Sequence, residues 1–314
     1  MPPAFIGSSP YCYANSLAMT LGPQSPPPSA IEVLTGSPFG AQFVESGLPH
    51  FDPPGWDPDL GLDQAIGLLG WTCRRTTGGA VSEALGRLRE AARSGPVLVG
   101  PVDVGLLLHQ PWSPGIASGG DHWVVVLDVD DHRVLFHDPD GFPFATLPVD
   151  AFVAAWRAQL VDCAGPFTMR GDFRRTDEVD VRTALRRSLP AALRRLTGPS
   201  PTGSSVAVER LATAVEAGLD DRTRGHLTGF AVRVGARRRA DASRWLGELG
   251  ASGAAAVTDH QARLLGRLQY DLVTGDTPSA AAGLRQLAGT YDALRTELAS
   301  AVTVLRSVRG TGPH

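Results

Sequence analysis

With 314 residues, 43% hydrophobic and 19% charged, the chain has the make-up of a soluble globular protein with room for one large or two ordinary domains. A net charge of −3 supplies no basic excess, which argues against nucleic acid or an anionic membrane surface as partner. Met1 to Gly7 lack the charged start and apolar run of a signal peptide, and the most apolar stretches, Val97–Leu108 and Val124–Val129, are short and carry Asp; the expected location is the cytoplasm.

In chain order, Ser8, Ser9 and Pro10 are cap and first-turn signals, and Ala14–Leu21 continues with helix formers, which sets Cys12 near a helix N-terminus. The Pro-rich Gln24–Ser29 ends that helix, Ala30–Thr35 supplies another short one, and Gly36–Gly40 is a turn. Phe51–Gly61, with Pro53, Pro54 and Pro58, reads as a surface loop. Its Asp52, Asp57 and Asp59, and Asp63 beyond it, would suit a cationic acceptor, but are expected to be solvated. Leu62–Leu69 and Val81–Ala92 are predicted helices, the second with Val81, Leu85 and Leu88 on one face. Pro96–Gly100 is a short strand, Trp123–Leu127 and Arg133–Phe136 form a hairpin around an acidic turn, and Ala151–Gln159 is a helix.

Beyond the crossing segment Gly165–Arg175, composition turns to Ala, Leu and Arg in helical periodicity. Predicted helices cover Val181–Leu196, Ser205–Leu219, Gly229–Leu249, Ala254–Val273 and Thr277–Val308, the last with one continuous apolar stripe from Leu284 to Leu305. The expected organisation is α+β: a mixed helix-and-strand domain over residues 1–165 and an all-α helical bundle over 176–314.

The three cysteines, Cys12, Cys73 and Cys163, are far apart in sequence and expected to be free thiols; no CxxC or HExxH spacing points to a metal, and no cofactor is expected. Cys73 and Cys163 are assigned to packing. Cys12, in Ser9-Pro10-Tyr11-Cys12-Tyr13-Ala14-Asn15-Ser16, differs because a helix N-terminus and a nearby imidazole both favour thiolate. That imidazole is expected from His122, which follows Gly119-Gly120-Asp121 and opens a strand. With Val129–Asp131 as the turn, Val126 lies opposite Val134 and His122 opposite Asp138, where a carboxylate can hold one ring nitrogen and leave the other for a nucleophile. A one-residue slip would make His137 the better-placed imidazole.

Nucleophile near a first helix, then Gly-Gly-x-His on a strand, then Asp-Pro closing the next strand is the chain order of papain-like thiol enzymes. Residues 5–160 resemble the papain-like, peptidase-C39-like superfamily, and more closely the N-terminal domain of the butirosin biosynthesis protein H type. The resemblance is carried by Tyr11–Met19, Glu32–Gly40, Gly95–Asp103, Asp121–Val126 and His137-Asp138-Pro139. Arg237–Leu246 resembles part of the helical C-terminal domain of the same proteins. The resemblance implies a cysteine-dependent acyltransferase of secondary metabolism. It would take an acyl group from a carrier-protein thioester onto Cys12 and pass it to the amine of a small-molecule acceptor. A peptidase, an amidase or a cyclising or condensing enzyme would use the same acyl-enzyme, and a non-catalytic binding module is a further alternative.

One departure bears on that choice. Papain-like enzymes carry a Gln shortly before the cysteine as oxyanion donor, whereas here the stretch is Phe5-Ile6-Gly7-Ser8-Ser9-Pro10-Tyr11. The backbone N–H of Cys12, with Ser8, Ser9 or Asn15, is the expected replacement, and a thioester needs less such help than a peptide. Asp103, ending an apolar strand, would hold an amine acceptor or fix a loop. Glu32 is read as either a solvated helix residue or a site carboxylate. Arg237, Arg238 and Arg239 would meet an acidic carrier, but as a helical run they are expected to spread over several faces in solvent; Trp112, Trp123 and Trp156 are expected as core or cleft wall.

Overall fold

The computed structural model describes residues 3–7, 10–43, 47–197 and 203–307. The chain divides into two compact units, Met1–Ile31 with Asp57–Glu178, and Glu32–Trp56 with Val179–His314.

The first unit mixes helices with one sheet. Its elements are α1 (Cys12–Leu21), the start of α2 (Pro28–Thr35), α3 (Pro58–Leu68), β1 (Trp71–Thr76), α4 (Val81–Ser94), β2 (Val97–Asp103), β3 (Asp121–Val129), β4 (Arg133–Asp138), β5 (Phe142–Pro148), α5 (Val149–Arg157) and β6 (Met169–Arg175). The six strands lie in the order β1-β6-β2-β3-β4-β5, each neighbouring pair antiparallel. Side chains two apart share a sheet face, so Val97 and Val99, Val124 and Val126, and Val134 and Phe136 enter one core. They meet Ala84, Leu88 and Ala91 of α4 and Phe152 and Trp156 of α5 there. α1 packs against β3: the Tyr13 and Trp123 rings stand edge to face at 5.8 Å, and Ser16 Oγ donates to Trp123 O at 3.0 Å. The helix that starts at Cys12 is thereby tied to the strand that starts beside His122.

Several expectations need correction. The crossing segment is β6, which inserts between β1 and β2, so the first unit runs to Glu178 rather than to residue 165. β1 and β5 were not foreseen, because Trp71–Thr76 and Phe142–Pro148 are largely half-buried or exposed and lack apolar alternation. α3 begins earlier than expected, since Asp57 caps it by accepting from Leu60 N at 2.8 Å and Pro58 fits its first turn. Residues 32–56, expected in the first domain, belong to the helical unit.

That second unit contains α6 (Val181–Thr197), α7 (Ser204–Ala217), α8 (Asp221–His226), a π-helical stretch (Leu227–Ala231), α9 (Val232–Glu248), α10 (Ser252–Thr274), α11 (Thr277–Ala288) and α12 (Tyr291–Ser307). The long final helix expected from its stripe is two helices. The break at Gly289-Thr290 falls where Thr290 Oγ1 donates to Leu287 O at 2.6 Å and accepts from Gln261 Nε2 at 2.8 Å, while Leu284, Leu287, Leu294 and Leu298 stay buried across it.

Two members of the arginine run are not solvated either. Arg238 and Arg239 are buried, because the 32–56 segment brings them partners. Arg238 Nε donates to Glu32 Oε1 at 2.7 Å and Nη1 to Asp52 Oδ2 at 3.0 Å, which places Glu32 and Asp52 in a buried ion-pair network instead of solvent. Gly235 permits this docking, since a Cβ there would stand 2.7 Å from Phe51 Cβ. Among the described residues no helix is long and apolar enough to cross a membrane.

Candidate active site

Cys12 is the first residue of α1, after Tyr11, whose side chain makes no cap. The first helical bond is Asn15 N to Tyr11 O at 2.9 Å, so the N–H groups of the turn that Cys12 opens lie at the helix N-terminus. Such groups carry the positive end of the helix dipole and favour an anion beside them.

His122 and Asp138 meet, though not in the expected register. The observed pairs are Val129↔Val134, Asp128↔Leu135, Val126↔Phe136 and Val125↔His137. The turn is fastened by Asp130 Oδ1, which accepts from His132 N at 2.7 Å and Arg133 N at 2.6 Å, and Leu127 forms a bulge. Continued by one pair, this register sets Asp138 against Val124, two residues from His122. A shift of two keeps side chains on the same face, and a diagonal neighbour lies within reach of an imidazole and a carboxylate. His122 Nε2 donates to Asp138 Oδ1 at 2.7 Å, which leaves Nδ1 as the ring nitrogen available to Cys12, the other side chain that acts on the imidazole.

The electrostatics follow from this geometry. Burial opposes a charge on His122, but the Asp138 charge and the hydrogen bonds to Asp138 and Cys12 hold its pKa well above the ordinary histidine value. Burial likewise opposes ionised Asp138; the His122 charge and donors from His109, His122 and Asp140 N–H outweigh it and hold the carboxyl far below the usual range. Asp138 is thus a buried anion and a pure acceptor.

Two residues at this carboxylate escaped sequence reasoning. His109 Nε2 donates to Asp138 Oδ2 at 2.8 Å and Gln110 Nε2 to the same oxygen at 2.7 Å. Both come from the irregular loop between β2 and β3, where Leu107-Leu108-His109-Gln110-Pro111 offers no periodicity to mark them. His137 is not the alternative base: its Nε2 donates to Pro3 O at 3.1 Å and its Nδ1 accepts from Phe144 N at 3.0 Å.

Asp103 is a loop clasp. It accepts from Gly105 N, from Ser118 N and Oγ and from Gly119 N, all between 2.9 and 3.0 Å, so the reading as a holder of an amine acceptor gives way to the loop-fixing one. Burial works against its charge, but these donors win and lower its pKa. Asp103→Ala is expected to destabilise the protein by about 2–4 kcal/mol through the orphaned loop donors, as read by urea denaturation. The deficit should be present above the ordinary carboxylate pKa and fade as pH falls through the lowered one.

Asn15 is buried on α1, and Ser8 and Ser9 lie outside the described residues. The acidic residues of the early loop are engaged as well. Asp59 is buried and paired with Arg170 and Arg75, each at 2.7 Å, and Asp63 pairs with Arg170. Trp123 and Trp156 are core, whereas Trp112 is exposed. Burial pushes the Cys73 thiol up to about 11 and raises Cys163 further, so both are held protonated near neutral pH and are poor nucleophiles.

A half-buried cysteine at a helix N-terminus, beside a buried His–Asp pair, thus makes up the candidate site. Residues 198–299 match the family model described as the YobF C-terminal domain. The chain is also similar to the uncharacterized protein YobF of Bacillus subtilis (strain 168), with 32% identity over 160 residues, 50% of this chain and 51% of that protein. It therefore spans about half the length of the curated relative it matches.

Proposed function

We propose that this chain is a cysteine acyltransferase with a papain-like catalytic unit, working in the cytoplasm on a carrier-bound thioester. The observation that carries the reading is one imidazole shared between Cys12 and the buried anion Asp138, at 2.7 Å from the latter. His122 takes the Cys12 proton, and the thiolate attacks the thioester carbonyl. First-turn N–H groups of α1 receive the oxyanion. Collapse expels the donor thiolate, which takes the proton back from His122 and leaves an acyl-thioester on Cys12. An incoming amine then attacks; His122 accepts its proton and returns it to the departing Cys12 sulfur. Asp138 keeps the imidazole oriented and offsets its charge at each stage.

The resemblance to the butirosin biosynthesis protein H type supports transfer, and so does the absence of a Gln ahead of Cys12; Gln110, the glutamine found at the site, is committed to Asp138. The test is intact-mass spectrometry after incubation with short acyl-thioester mimics. A single acyl adduct that disappears in Cys12→Ala, persists in Cys73→Ala and is discharged by added amine is the expected result. Labelling of Cys73 or Cys163 instead overturns the proposal, and discharge by water alone, indifferent to amines, reassigns the site to hydrolysis.

A further inference from the structure

Asp138 receives four donors, two on each oxygen. Oδ1 accepts from His122 Nε2 at 2.7 Å and Asp140 N at 2.8 Å, and Oδ2 from His109 Nε2 at 2.8 Å and Gln110 Nε2 at 2.7 Å. A carboxylate has about four lone-pair positions, so this one is saturated. The two donors on Oδ2 come from neighbouring residues of one loop, whose ends the Asp103 clasp draws together through Gly105, Ser118 and Gly119.

What those two side chains forgo is informative. His109 Nδ1 and Gln110 Oε1 are buried with no hydrogen-bond partner among the described residues. Around the His109 ring stand Phe136 at 5.0 Å and Phe142 at 5.2 Å, both edge to face. Buried polar atoms are costly to leave unmade, yet both residues leave one so that their N–H groups reach Asp138. Because Asp138 is ionised, both hydrogen bonds are charge-assisted, which makes them stronger than neutral ones.

From this we infer that His109 and Gln110 are positioning residues for the proposed Cys12–His122 pair, an inference that rests on the acyltransferase reading of the same site. They fix the orientation of Asp138 and keep it ionised, and Asp138 in turn holds His122 with Nδ1 toward Cys12. Each therefore acts on the reactivity of a sulfur it does not touch.

The test needs no substrate. The rate of Cys12 alkylation by iodoacetamide is followed by peptide mass mapping from pH 4 to 9 in the full chain, with thermal melts alongside. His109→Leu and Gln110→Leu are each expected to slow alkylation at pH 6 roughly tenfold, as the loss of one charge-assisted bond implies, and to move the acid limb of the profile upward. His109→Gln, which returns an amide donor at a similar reach, should restore most of the rate. If both Leu variants melt earlier but keep the wild-type profile, their role is structural only and the inference fails while the thiol reading stands. If wild-type Cys12 reacts no faster than Cys73 and is indifferent to His122→Ala, the thiol reading itself fails.

A measurement on wild-type protein covers the case of a variant that does not fold. The ring nitrogens of 15N-labelled histidine should show the Nε2–H tautomer at His109, and its Nε2–H resonance should move when Cys12 is alkylated. A resonance that stays in place overturns the inference.

Discussion

His122→Ala is expected to slow acylation of Cys12 by roughly 10³-fold, within the span set by removal of a general base. The variant leaves α1 and its dipole in place, so the loss isolates the imidazole. Stability should change with pH in a definite sense. The folded pKa of His122 is raised, so its contribution is fully present below about 6.5 and is lost as pH rises through the higher folded value. Asp138 is lowered, so its contribution is present above about 3.9 and is lost as pH falls through the lower folded value. The stability gap between wild type and His122→Ala, measured by urea denaturation, is therefore expected to be widest between about pH 4 and 6.5. A rate within tenfold of wild type would remove His122 from the chemistry.

The triad was legible because each member sits beside a local signal: Cys12 before helix formers, His122 at the start of an apolar run, Asp138 before Pro139. Its register was not. The turn is set by Asp130 and the bulge at Leu127, and neither leaves a mark in hydrophobic alternation. The expected pairing failed by two residues, and the even offset is why His122 and Asp138 still share a face. His109 and Gln110 were invisible for a related reason: loops that carry no periodicity can still carry function. The helical half shows the converse. Its stripe of Leu284, Leu287, Leu294 and Leu298 correctly marked buried positions, but a stripe does not register a break such as Gly289-Thr290. The border between the units was hidden for a third reason. Residues 32–56 are held in the helical unit by partners nearly 200 positions away, Arg238 and Arg239.

The largest stability loss is expected from Arg239→Met, about 3–5 kcal/mol, because several buried neutral acceptors lose a charged donor at once. A guanidinium has five N–H groups, and here each finds an acceptor: Nε gives to Gln261 Oε1 at 3.2 Å, Nη1 to Phe51 O at 3.1 Å and Gly235 O at 3.2 Å, Nη2 to Gly40 O at 2.6 Å and Tyr291 Oη at 2.9 Å. Two of these acceptors, Gly40 O and Phe51 O, belong to the 32–56 segment: Phe51 O would lose its Arg239 donor, and Gly40 O would keep the longer bond from Tyr291 Oη at 3.4 Å. Met matches the length and apolar character of the stem but donates nothing, so urea denaturation should show the loss and limited proteolysis should show new cleavage between residues 32 and 56. Arg239→Lys is expected to recover little, because a point-charge ammonium with three donors cannot span acceptors arranged around a planar fork. Arg237 is the control within the same run. It is partly exposed and lies 3.9 Å from Asp241, so Arg237→Ala should cost under about 0.5 kcal/mol. Equal effects at 237 and 239 would mean that the segment is anchored elsewhere, with the Arg238 pairs to Glu32 and Asp52 carrying it alone.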